Sequence, residues 1–127
     1  MSFAMRFVPL FALLFTPFCT SAQATDYEVG ASLVCDTQAQ VERFVALFSG
    51  DAKAAIRVVN AEEQNPSACA IVKVAYMRGP QITMARNGES AFEIARILVV
   101  GVETEDGIQA VRPAVYFSLF GVKEYAI

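Results

Sequence analysis

The hydrophobic period of this chain changes at Cys69, and that change limits the folds open to it. Between Asp36 and Cys69 the pattern is helical. Val41, Phe44, Val45 and Phe48 recur at i, i+3, i+4 and i+7, which makes one apolar stripe. Thr37 and Gln40 have capping-box spacing, so the hydroxyl can take one orphan N–H while the amide side chain reaches back. These signals predict a helix starting at Asp36-Thr37, with Gly50 placed to end it in a left-handed conformation. Asp51 caps a second predicted helix that runs to about Glu63 and carries a small, Ala-rich apolar face. Asn65-Pro66-Ser67 stops it, because the residue before a proline avoids helical angles.

From Cys69 onward the period is two. Strands are expected over Cys69 to Met77 and Gln81 to Arg86, with Arg78-Gly79-Pro80 as a turn between them. Asn87-Gly88 signals a hairpin leading into a long run from Ser90 to Glu103. Asp106-Gly107 signals another hairpin, its two-residue loop at 105–106 or 106–107, before a last strand from Ile108 to Phe120. Pro113 lies inside that strand, and the missing ladder donor marks an edge or a bulge. Val29 to Cys35 reads as a first short strand. The expected fold class is α+β: two helices packed on an antiparallel β-meander of four to five strands, able to curl into a partial barrel.

The N-terminus reads as an address. Arg6 is the only charge in Met1 to Ala24, Phe7 to Phe18 is an apolar run of 12 residues, and Ala22-Gln23-Ala24 offers a signal peptidase its small-x-small pattern. The run is short of the roughly 20 residues of a membrane span and is broken by Pro9 and Pro17. A signal peptide over 1–24, cleaved after Ala24, would leave 25–127 as a single α+β domain, exported to the periplasm or outside the cell. Cys19 leaves with the leader. Cys35 and Cys69 remain, and an exported compartment with one pair of thiols favours a disulfide between them. The bridge would tie the end of the first strand to the start of the next, across the helical hairpin.

The chain contains no histidine, so no Ser-His-Asp triad, Cys-His dyad or imidazole metal site can be built within it. Ten basic residues against 13 acidic ones give no sequence-wide basic footprint for nucleic acid. No cofactor motif is present. Glu103, Glu105 and Asp106 cluster at a predicted hairpin without the regular ligand spacing of a calcium loop. Glu62 and Glu63 are adjacent on a helix, hence about 100° apart and a poor acid/base dyad. Arg78, Arg86, Arg96 and Arg112 are cations of the strand half. Arg96 and Arg112 would form a small anion patch if the last hairpin made them diagonal neighbours. Val115, Tyr116, Phe117, Ser118, Leu119 and Phe120 form an uncharged segment that must be covered, by the helices or by another chain. That segment is the candidate surface for a protein partner or a second copy.

Leu33-Val34-Cys35-Asp36-Thr37, Gln40-Val41-Glu42-Arg43-Phe44-Val45, Asn60-Ala61-Glu62 with Cys69, and Val99-Val100-Gly101-Val102 together resemble a group of small exported bacterial proteins. The resemblance spans most of residues 29–120. It implies the bacterial envelope and a two-cysteine layout, and it transfers no catalytic or binding residue. The sequence therefore points to a non-catalytic, disulfide-stapled binding or interaction module. The alternative is a small-molecule-binding or carboxylate-based hydrolytic domain, with a pocket between helices and sheet. A third reading is an envelope structural or stress protein with no specific ligand.

Overall fold

Each strand signal in the chain finds its neighbour in sequence, and the result is a meander that curls until its ends meet. The structure is a computed structural model and describes residues 27–88 and 90–121. The proposed leader with its Ala24 cleavage site lies outside the described residues. The elements are β1 (Glu28–Cys35), α1 (Gln38–Leu47), α2 (Ala52–Glu63), β2 (Cys69–Asn87), β3 (Ser90–Thr104) and β4 (Gly107–Gly121). β1 lies antiparallel to β2 from Glu28↔Tyr76 to Cys35↔Cys69. β2 pairs with β3, and β3 with β4, each antiparallel. The ring closes through a single residue pair, Cys35↔Phe117. The α+β expectation of four to five strands holds, with four among the described residues.

The helix signals act as the spacing predicts at their starts. Thr37 accepts from the Gln40 N–H at 3.2 Å, and the Thr37 N–H donates to Gln40 Oε1 at 3.0 Å. Asp51 accepts from the Ala54 N–H at 3.1 Å and caps α2. The end of α1 differs from expectation. α1 stops at Leu47, and Gly50 keeps its positive φ of 102° in the connection beyond. The stop comes from the sheet: Asn87 at the far end of β2 donates from Nδ2 to the carbonyls of Val45 and Phe48. The Phe48 carbonyl lies past the last turn, and the Val45 carbonyl otherwise accepts only the Phe48 N–H at 3.3 Å among the described backbone contacts beyond the helix. α2 ends at Glu63 as expected, with Gln64, a non-glycine residue at φ 55°, as its cap directly before Asn65-Pro66-Ser67.

The expected turn at Arg78-Gly79-Pro80 does not form. β2 runs straight through it, and its register against β3 slips between Arg78 and Gln81 and again between Gln81 and Thr83. β3 is long enough to pair with both halves, so the extra residues become bulges rather than a reversal. Gly79 permits the close approach: a Cβ there would stand 3.0 Å from the Arg96 carbonyl oxygen. The β3–β4 loop is Glu105-Asp106, because Thr104 pairs with Gly107. Pro113 sits in a bulge of three residues, Val111 to Pro113, facing Val100 between the pairs Gly101↔Ala110 and Val99↔Ala114.

Alternation along the strands separates two apolar clusters. Leu33, Cys35, Cys69 and Ile94 pack with Val41, Phe44, Val45, Ala55 and Val59 on the helix side of the sheet. Val74, Tyr76, Ile97 and Val99 pack on the other side, with Val34, Val72, Tyr116 and Phe120 against them. Cys35 and Cys69 form the expected disulfide, 34 residues apart in sequence and both buried. Asn60 fixes α2 to the same spot. Its Oδ1 accepts from the Cys69 N–H at 2.9 Å, and its Nδ2 donates to the carbonyls of Cys69 at 3.0 Å and Pro66 at 2.9 Å. Among the described residues, no helix is long and apolar enough to cross a membrane.

Candidate functional site

Closure through one residue pair leaves the barrel open on one side. After Cys35 the chain leaves β1 and turns into α1, so no strand continues beside the first half of β4. Among the described residues, Gly107 to Tyr116 therefore pairs with β3 alone, and every residue from Gly107 to Pro113 is exposed. A cleft of about 340 Å³ lies at this opening. Its lining is mostly valine: Val34 from β1, Val72 and Val74 from β2, Val99 and Val102 from β3, Val111 from β4. Tyr116, Asp36 and Ser67 supply its polar groups.

Strand periodicity and one irregularity build this lining. Ala70, Val72 and Val74 share a face because they alternate with Cys69, which faces the helices. Residues three apart on a regular strand point to opposite faces. Val99 and Val102 nevertheless both reach the cleft, because the β2–β3 register slips between Ala75 and Tyr76. The disulfide stands immediately behind the polar end. Asp36 follows Cys35, and its N–H donates to the Ala68 carbonyl at 3.0 Å, one residue from Ser67. Asp36 is the one carboxyl group in the lining, so the cleft lacks the paired carboxyls of a glycosidase-type site.

The candidate residues read from the sequence are distributed differently. The segment Val115 to Phe120 is covered largely by its own fold. Phe117 and Leu119 pack against the helix-side cluster, Tyr116 and Phe120 against the inner one, and Ser118 is fully buried between neighbours on β4. Val115 is the exception, with 55% of its surface exposed. Arg96 pairs with Phe117 across the strands, its guanidinium 5.8 Å from that ring's centre. Arg112 lies in the bulge opposite Val100, so the hairpin does not make it a diagonal neighbour of Arg96. Arg78 instead lies 3.5 Å over the Phe120 ring and 3.3 Å from Glu28 Oε1.

One acidic cluster lies at a turn held by a neighbouring hydroxyl, and the other has side-chain partners. At the β3–β4 turn, Thr104 Oγ1 accepts from the Asp106 N–H at 3.2 Å and donates to the Gly107 carbonyl at 2.9 Å. Among the described residues, no three His, Cys, Asp or Glu side chains converge to hold a metal ion. Glu62 takes a bidentate pair from Arg43 at 2.8 and 3.0 Å, and this hydrogen bonding holds its carboxyl below the usual carboxylate range. Glu63 accepts from Gln40 Nε2 at 2.9 Å. The two carboxylates thus brace α1 against α2.

The cleft itself was not visible in the sequence. Its valines alternate in the chain like those of any buried strand face, and spacing does not distinguish a filled interior from an open one. Compared with protein-family models, curated proteins and solved structures, the chain matches none.

Proposed function

We propose that this chain is an exported, non-catalytic binding module of the bacterial envelope that takes up an extended segment of a partner protein along the open edge of β4. The observation that carries the reading is the open outer edge of Gly107 to Arg112, a stretch that pairs on its other side with β3 alone, running beside an apolar cleft. An added strand gains main-chain hydrogen bonds from such an edge, and alternate side chains enter the neighbouring pocket to set specificity. The cleft falls within the roughly 300–1,000 Å³ range of small binding sites, enough for a few apolar side chains. Pro113 limits the usable edge, since it offers no N–H to a partner strand. The leader read from the sequence and the bridged cysteines support export. The acidic balance of the chain gives no support for a nucleic-acid partner.

The test is selection of binding peptides from a displayed random library, followed by NMR titration of the disulfide-bonded protein. The reading expects apolar, β-prone peptides that shift and protect the amides of Gly107 to Arg112. Peptides that perturb other residues and leave this edge untouched overturn it. A second reading, a small apolar ligand, is favoured by the valine lining itself. Such a ligand would shift the cleft methyl groups without protecting the β4 amides.

A further inference from the structure

We propose that the groove over the β2 bulge is a second binding site, for a single-chain amphiphile with a carboxylate head. It is independent of the β4 edge and of the reading built on it. The groove measures about 440 Å³ and lies where β2, β3 and β4 pass one another around Gly79. Met77, Ile82, Leu98 and Val115 supply an apolar wall, and Val115 and Ile82 are the exposed large apolar residues of that wall. Arg78 and Arg96 are its charged groups.

Both cations border the groove but face opposite sides of the sheet: Arg96 alternates with Leu98 on the groove side, whereas Arg78 shares the side of Tyr76 and Phe120. Arg78 pairs with Ile97, so Arg96 is the next position along the facing strand. Gly79 lets β2 close onto the Arg96 carbonyl, where a side chain would intrude. Each guanidinium lies over an aromatic ring, Arg78 on Phe120 and Arg96 on Phe117, which restrains its position before any ligand arrives. Arg78 shares its charge with Glu28, whereas Arg96 has no carboxylate partner among the described residues. A planar, prepositioned guanidinium matches a carboxylate through two parallel hydrogen bonds. The chain as a whole carries a formal charge of −3, so the attraction for an anion is local to this groove. An apolar wall ending at the Arg96 guanidinium fits an aliphatic tail with an anionic head.

The experiment is calorimetric titration of the intact, oxidised protein with dodecanoate, dodecanol and dodecyltrimethylammonium, all below their micelle-forming concentrations. Dodecanoate is expected to bind one per chain, with the alcohol weaker and the cation weaker still. Arg96→Gln removes the charged donor and is expected to weaken dodecanoate by about tenfold or more, while leaving the alcohol nearly unchanged. Val115→Asp alters an exposed residue of the wall and is expected to weaken both. Val111→Asp, in the β4 cleft, is the control and leaves dodecanoate binding unchanged. Equal affinity for acid and alcohol, or an Arg96→Gln protein that binds dodecanoate as the parent does, overturns the proposal. So does loss of dodecanoate binding in Val111→Asp with retention in Val115→Asp.

Discussion

Asn60→Ala should be among the most damaging single changes outside the hydrophobic core. Asn60 makes three hydrogen bonds from one amide, two of them to the backbone of Cys69, which is 1% exposed. Truncation leaves the Cys69 N–H and carbonyl without those partners. Each stranded buried polar group costs about 1–3 kcal/mol, and water admitted by the smaller side chain recovers part of it. The expected loss is therefore about 2–4 kcal/mol, or roughly 10–25 °C in Tm for a domain of this size. Asn60→Asp dissects the amide. It keeps the acceptor for the Cys69 N–H but sets a carboxylate against the Cys69 and Pro66 carbonyls. Protonation turns that repulsion into a hydrogen bond, so the group's pKa rises on folding and the damage shrinks as pH falls. Urea unfolding of the oxidised proteins, at neutral and acid pH, reads both effects. An Asn60→Ala protein within about 0.5 kcal/mol of the parent would refute the reasoning, as the size of an ordinary surface effect. So would an Asp variant worse at acid than at neutral pH.

Replacing both Cys35 and Cys69 with serine releases a loop closed across 34 residues and should cost about 3–4 kcal/mol in equilibrium unfolding; a loss below 1 kcal/mol would contradict the staple. Gly101→Ala places a Cβ 2.8 Å from Ile108 Cγ2 and 3.4 Å from the Ala75 Cβ, so it should cost about 1–3 kcal/mol through overpacking, read as a lowered melting midpoint. The Glu62 carboxyl is held low by the Arg43 hydrogen bonds, so its stabilising contribution is present above the unfolded-state pKa and is lost as pH falls through the lowered folded value. Glu62→Gln should therefore flatten the acid limb of a stability–pH profile slightly, and added salt should shrink the difference because the pair is exposed.

Local chemistry was legible where it had no competitor. The Thr37–Gln40 box and the Asp51 cap need only residues three apart, and both form. The bridge was legible because reading residues 1–24 as a leader left one pair of cysteines, and that pair is bonded. Gly79-Pro80 carried turn chemistry just as local, yet β3 pairs on both sides of it, and the ladder outweighed the turn. Gly50 was a plausible helix stop, but a side chain from residue 87 took the carbonyls of α1 earlier. No window of sequence near Gly50 contains that fact. The last hairpin was open between two registers, and both occur in turn. Near the loop Glu103 faces Ile108, and beyond the Pro113 bulge Arg96 faces Phe117. The site depends on quantities a linear pattern does not hold: where β1 runs out, and how far six valines from four strands fall short of filling the space between them.

The position of the disulfide has a consequence for how the chain finds its register. Cys35 and Cys69 are directly opposite one another on β1 and β2. A slip of one residue between these strands would turn the helix-facing set of β1 outward. The same slip would offset the two sulfurs along the ladder and put them on opposite faces. Oxidation is thus easiest in the one alignment that also buries Leu33 beneath α1. The bond acts as a proofreader as well as a staple: under oxidising conditions, correctly aligned molecules are trapped and misaligned ones stay free to try again.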